Sequence, residues 1–292
     1  MLIDPHVNPH DLSPDELIDL MTDASLDGAV ITCTHSARDG LPYVEALEDE
    51  DFVALLGVEL QTPHGALVFI PHTVDERFLS AQWAPTGDQA ITRSYRDEEG
   101  EQVDSRPLWR LEPLLAQLSQ LQGALLLAHP FSRLSSQSWG DRAYTLAQVC
   151  ALEARTGRGL PVRDFLADQL AETKGWGRVG SCGGDLSSLG SAVTAFLESA
   201  DSQRGLCEAL SQAICWPVEF EKADHPRPRY QGVVEDEGPR RVSLAEKERK
   251  EALAEVNRRR PQKGGAPIDQ IFGQGPKRGG PREGRGSERS RR

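Results

Sequence analysis

The stretch of residues 179–196 reads VGSCGGDLSSLGSAVTAF. It opens as the end of a short apolar strand, Gly177 to Ser181, breaks at the glycine pair Gly183-Gly184, and passes through Leu189-Gly190 to Thr194 and Phe196. A strand that ends in small polar residues at a glycine turn is the form that a site-bearing loop takes at the carboxyl end of an α/β strand. Cys182 and Asp185 are its only side chains with ligand chemistry. Ser187 and Ser188 have no adjacent base that would make either a nucleophile, and they read as the N-cap of a following helix.

Working outward, short apolar runs alternate with amphipathic helices over residues 1–221. Strand candidates are Leu2 to Asp4, Ala29 to Thr34, Ala54 to Leu60, Ala66 to Ile70, Ala124 to Ala128 and Val149 to Glu153. Helices are expected from Ser13-Pro14-Asp15-Glu16, a capping arrangement with Pro at the first helical position, and at Leu111–Leu121, Val162–Lys174 and Cys207–Ala213. Strands separated by helices imply parallel pairing through right-handed crossovers, and this number of units implies a closed or nearly closed barrel. The segment Trp83 to Pro107 carries a polar hairpin around Glu99-Gly100, which could cover the barrel rim or be an exposed insertion without a role.

In such a barrel the residues that follow the strands converge on one rim: His6, Thr34 and His35, Glu59, His129, Glu153, and Ser181-Cys182. Any one of these histidines alone reads as a hydrogen-bonded structural residue. As a set, imidazoles and carboxylates arriving from separate strand ends are what a Zn, Mn or Fe site requires.

The ordered segments IDPHVN (3–8), LSPDELIDL (12–20), SLDGAVITCTH (25–35), LLGVEL (55–60), LLLAHPF (125–131) and VGSCGGDLSSLGSAVTAF resemble the PHP (polymerase and histidinol phosphatase) superfamily of metal-dependent phosphoesterases over roughly residues 1 to 218. The resemblance implies a distorted parallel (β/α)7-type barrel and a divalent-metal site. Of the family's ligand positions, His6, Glu59 and His129 match. Asn8 stands where a second histidine is expected, Cys33 and Thr34 where Asp and His are expected, and Cys182 and Gly184 where the loop would carry Asp and His. His35, His64, His72 and Asp185 lie near vacated positions and are weaker candidates. Arg133, just past His129, could contact a phosphate or be an ordinary surface residue.

Three readings of this pattern stay open. The site has degenerated and the barrel acts as a binding or regulatory module, with weak or no hydrolase activity and with metal optional. A rebuilt site recruits His35, His64 or His72 and Asp185 and keeps phosphoesterase activity. Or His6, His129, Cys33 and Cys182 form a soft tetrahedral zinc site. A phosphorylated small molecule or a nucleotide is the ligand that the resemblance implies.

Composition separates the chain into two materials. Of its 292 residues, 1–221 carry 14 Lys and Arg against 34 Asp and Glu, whereas 222–292 carry 19 against 11. The second part is rich in Gly, Pro and Arg and has too few aliphatic clusters to offset its ordering entropy, so it is expected to be a disordered basic tail. Ser243 to Arg259 is the exception, a mostly polar helix candidate. Arg-Gly density of this kind suits nucleic acid or another acidic partner, and it suits the acidic barrel itself equally well. No apolar run of membrane length and no export signal are present, and the five cysteines are irregularly spaced. A cytoplasmic protein with reduced thiols and no membrane contact is the expectation.

Overall fold

A computed structural model describes residues 1–9, 12–96, 102–131, 139–157 and 161–220. Arg133, Glu99-Gly100 and the basic tail from Lys222, including the helix candidate Ser243 to Arg259, lie outside the described residues. The chain forms β1 (Leu2–Val7), α1 (Pro14–Asp23), β2 (Gly28–Cys33), α2 (Leu41–Asp49), β3 (Val53–Thr62), β4 (Gly65–Pro71) and α3 (Glu76–Leu79). There follow β5 (Ala90–Arg96), β6 (Gln102–Trp109), α4 (Leu111–Leu118), β7 (Gly123–Leu127), β8 (Ala151–Arg155) and α5 (Pro161–Lys174). The last elements are β9 (Gly177–Gly180), β10 (Ala192–Ala195), α6 (Gln203–Ser211) and β11 (Trp216–Glu219).

Nine strands make one sheet in the order β11-β10-β1-β2-β3-β4-β7-β8-β9. Its two ends lie against each other, so the sheet is a nearly closed barrel. The Thr194 hydroxyl, in β10, stitches this closure by donating to the Gly180 carbonyl of β9 at 2.7 Å and accepting from the Gly180 N–H at 3.0 Å. The approach requires glycine there, because a Cβ on Gly180 would stand 2.3 Å from the Val193 carbonyl oxygen.

The expectation of uniformly parallel pairing is corrected. β4 runs antiparallel to both β3 and β7, and β10 runs antiparallel to both β1 and β11. The reason is local: Thr62-Pro63-His64-Gly65 leaves no room for a crossover, and Gly65, at φ 142°, turns β3 directly into β4. The Thr62 hydroxyl holds this turn, donating to the Gly65 carbonyl and accepting from the His64 N–H. β5 and β6 pair as a separate two-stranded sheet, whose Trp109 indole donates to the Trp83 carbonyl at 2.8 Å.

Side-chain alternation along the strands sets up the site. Ile3, Val30, Leu55, Val68, Leu126 and Val179 share one face of the sheet and pack with Leu206 and Leu210 of α6 in a single apolar cluster. On that same face, nearer the carboxyl ends, the residues become polar: Thr32 after Val30, Glu59 after Leu55, Glu153 after Ala151 and Ser181 after Val179. The opposite face packs against Leu17 and Met21 of α1, Leu47 of α2, Leu114 of α4 and Leu170 of α5. The barrel is thus apolar toward α6 and polar toward one rim. Among the described residues no helix is long and apolar enough to cross a membrane.

Candidate metal centre

Glu153 lies at the middle of the polar face. Its side chain has no solvent exposure and serves four groups. Oε1 is 2.7 Å from His6 Nδ1 and accepts from the Ser181 hydroxyl at 2.8 Å. Oε2 is 3.0 Å from His129 Nδ1 and accepts from the His129 backbone N–H at 2.8 Å. Both bonds to His129 reach one oxygen because the backbone turns at that residue to φ 45°, a left-handed conformation uncommon outside glycine. Backbone outliers of this kind concentrate at functional sites.

His6 is fully buried on β1. With Nδ1 facing Glu153, its Nε2 lies 3.4 Å from Glu59 Oε2 and makes no hydrogen bond among the described residues. Glu59, on β3, accepts from the Gln61 amide at 2.6 Å through Oε1 and from the Asn8 amide at 3.2 Å through Oε2. The two imidazole rings are 5.7 Å apart. One donor atom from each of His6, His129 and Glu153 lies within 4.8 Å of the others.

The electrostatics are those of a cation site. Burial alone would pull the His6 imidazole toward the neutral form, but Glu153 and Glu59 outweigh it and push its pKa up to about 10. His129 rises for the same reason, burial opposed and exceeded by Glu153. Burial pushes Glu153 upward, yet the two imidazoles hold it well below the usual carboxylate range, and Glu59 shifts down likewise against its own burial. Asp4 joins the site to the loop after β9: it accepts from the His6 N–H at 3.0 Å and the Cys182 N–H at 2.8 Å. Burial raises its carboxyl to about 7 despite those bonds.

The remaining candidates separate. Cys182 is buried with its thiol donating to the His6 carbonyl at 3.1 Å, and burial beside Asp4 raises its pKa well above the ordinary value. Burial, with Asp39 adding to it, pushes the Cys33 thiol up to about 12. Neither thiol, nor Glu59, belongs to the group of donor atoms that His6, His129 and Glu153 form. Asp185 is exposed and accepts from the Ser187 N–H and hydroxyl, so it caps the short turn Leu186–Ser188. Capping by Ser187 or Ser188 is therefore corrected: both lie inside the turn, and the buried Ser188 hydroxyl donates to backbone carbonyls. His35 is exposed. His64, in the β3–β4 turn, contacts Arg142 and lies 5.9 Å from the Trp139 ring.

His72 lies away from the rim. It follows β4, whose last residue Pro71 pairs with Gly123 at the start of β7, so the antiparallel course of β4 carries it to the other end of the barrel. Glu153, by contrast, gains a central position that the sequence did not give it. The expected strand Val149 to Glu153 is displaced to Ala151–Arg155, which moves Glu153 from a strand end to mid-strand on the inner face. The available signal was the alternation of Ala151 and Glu153, which puts a carboxylate on the same face as a small apolar residue.

No family model matches the chain, and no curated protein is significantly similar to it. Among solved structures it is similar, at 11% identity and a TM-score of 0.48, to a two-domain protein containing a predicted PHP-like metal-dependent phosphoesterase from Bacteroides vulgatus. The match covers 75% of this chain and 65% of that one.

Among the described residues, His6 and His129 with a neighbouring carboxylate are a group that could hold one divalent ion. His6 Nε2 is a buried polar atom without a hydrogen bond, it faces a carboxylate, and a second imidazole is held beside it. Neutral imidazole with carboxylate suits Zn, Mn or Fe.

Proposed function

We propose that this chain is a PHP-like barrel protein whose rim holds one divalent cation and binds a phosphorylated small molecule or nucleotide, with weak or no hydrolysis, as a binding or regulatory module. His6, Glu59 and His129 would hold the ion. When bound, it supplies positive charge for a phosphate oxygen. The chain's own residues fix its surroundings: Glu153 orients both imidazoles, Asp4 ties β1 to the Cys182 loop, and Gln61 and Asn8 hold Glu59.

The observation that carries the reduced-site reading is the use to which Asn8 and Cys182 are put. Clamping both the attacking and the leaving oxygen of a phosphate ester takes two ions. Here the Asn8 amide nitrogen is spent on Glu59, and the Cys182 thiol donates to the His6 carbonyl, so the sulfur is held as a protonated donor where a second ion needs a ligand atom. In the same reading, residues 222–292 carry contacts to nucleic acid or another acidic partner, and a chain ending at Lys222 loses them.

The test is elemental analysis of the full chain after exposure to Mn, Zn or Fe and desalting, with His129→Ala as control, followed by a turnover screen on phosphomonoesters, phosphodiesters and nucleotides. About one equivalent of metal per chain that is lost in the control, without turnover, agrees with the proposal. Turnover abolished by His129→Ala would replace it with the phosphoesterase reading, and the absence of bound metal would remove its cation.

A further inference from the structure

We infer that Glu153 is the positioning carboxylate of this centre and not one of its metal ligands, and that it fixes His6 and His129 so that each offers Nε2 to the ion. The metal half of this inference rests on the cation reading above; the ring geometry does not.

A carboxylate has about four acceptor positions on its two oxygens. Glu153 uses them on His6 Nδ1, the Ser181 hydroxyl, His129 Nδ1 and the His129 N–H. To ligate an ion it would have to give up part of this set in a place that water does not reach. The Ser181 hydroxyl would then be left as a buried donor without an acceptor, an arrangement that native structures avoid, and the part-buried His129 N–H would lose its partner as well. Glu59 is placed differently: its side chain is 11% exposed, and one oxygen already faces His6 Nε2. It is the carboxylate on the ligand side of the ring, and Glu153 is the one behind it. Metal-bound imidazoles characteristically give their other ring N–H to such a carboxylate, which sets both tautomer and orientation.

The rings are held from the loop after β9 as well. The Gly184 N–H donates to the His6 carbonyl at 2.9 Å, and a Cβ on Gly183 would stand 2.2 Å from His129 Cε1, so glycine is needed for the loop to close on that ring. The Ser181 hydroxyl, which accepts from the Gly183 N–H at 3.1 Å while donating to Glu153, couples the loop to the carboxylate. The four bonds to Glu153 therefore position two side chains from β1 and the end of β7 as one unit.

The experiment is a long-range proton–nitrogen NMR spectrum of the full chain labelled at histidine, recorded without metal and then through a zinc titration, on wild type, Glu153→Gln and Ser181→Ala. Without metal, wild type is expected to show hydrogen-bonded Nδ1 protons on both His6 and His129. With zinc, the Nε2 resonances move and the Nδ1 protons remain. Glu153→Gln is expected to retain one zinc with affinity about 10- to 100-fold weaker, and Ser181→Ala with a smaller loss. Zinc on either Nδ1, or a folded Glu153→Gln that takes up none, overturns the inference. If Glu153→Gln does not fold, Ser181→Ala and the wild-type spectra decide. If wild type takes up no zinc, the cation reading fails, and the metal-free spectrum still decides whether Glu153 holds both rings.

Discussion

His6 Nδ1 lies 2.7 Å from Glu153 Oε1 in a pair whose side chains are both fully excluded from solvent. The imidazole shifts up to about 10 and the carboxylate shifts down, so the pair is charged at neutral pH. Removing one member of a buried pair leaves the other charge without compensation, at a cost of about 3–5 kcal/mol. Glu153→Ala in the metal-free protein should therefore lower the unfolding free energy by about that amount at pH 7, measured by urea denaturation. A double variant, Glu153→Leu with His6→Phe, should cost much less than the sum of the single changes. A loss below about 1 kcal/mol for Glu153→Ala would mean that the pair is not charged in the native state.

Asp4 and His6 together make stability fall as pH rises. Asp4, with an ordinary value of 3.8, is raised to about 7 in the folded state, so its contribution is complete below 3.8 and is lost as pH rises through 7. His6 goes from 6.5 to about 10, so its contribution is complete below 6.5 and is lost as pH rises through 10. Each group adds a slope of at most about 1.4 kcal/mol per pH unit. Glu153 and Glu59, shifted downward, oppose this only on the acid side, below their ordinary value of 4.5. Urea midpoints of the metal-free protein should decline steadily from pH 5 to 10, and Asp4→Asn should flatten the part between 4 and 7. A midpoint that rises between pH 6 and 9 would contradict both shifts.

What the sequence disclosed follows from where the information resides. Short apolar runs at Ala29–Thr34, Ala54–Leu60 and Ala124–Ala128 became β2, β3 and β7 with boundaries one or two residues away, because burial on both faces leaves a continuous apolar signal. Ser13-Pro14-Asp15-Glu16 became a true capping box, since a cap is a local contract among four residues. The reversal of β4 was not legible: the sense of a strand depends on what a short turn permits, and ALVFI reads alike in either direction. Glu153 was legible only as one polar residue of the rim, because its central role lies in partners 147 and 24 residues away in sequence. His6, Glu59 and His129 were singled out as residues at expected strand ends; the structure extends β1 and β3 past His6 and Glu59 and places His129 just after β7, while His72 follows a strand that runs the other way.

Gly183 sits at φ 64° with its missing Cβ position 2.2 Å from His129 Cε1. Gly183→Ala meets two penalties at once, the left-handed backbone at roughly 1–2 kcal/mol and displacement of the His129 ring. The ring can give way because its side chain is 32% exposed, so the variant should fold. The expected outcome is a stability loss of about 1–3 kcal/mol together with metal uptake reduced at least as far as in Glu153→Gln. Wild-type metal affinity in a folded Gly183→Ala protein would show that His129 does not need its present position to bind.

Cys33 and Cys182 decide between the imidazole–carboxylate centre and a soft zinc site. Thiolates are the form that reacts and ligates, and burial raises both thiols far above the ordinary range. The Cys182 thiol is, moreover, engaged as a donor to the His6 carbonyl. In the native protein at pH 8 both should resist a thiol reagent and become reactive only on unfolding, whereas Cys150, partly exposed, should react first. Zinc should leave this order unchanged, and Cys182→Ala should retain metal, losing only the stability of one buried hydrogen bond, about 1 kcal/mol. Cys182→Ala without zinc, in a protein still folded, would put a thiolate in the ligand set and require the Cys182 loop to turn its sulfur away from the His6 carbonyl.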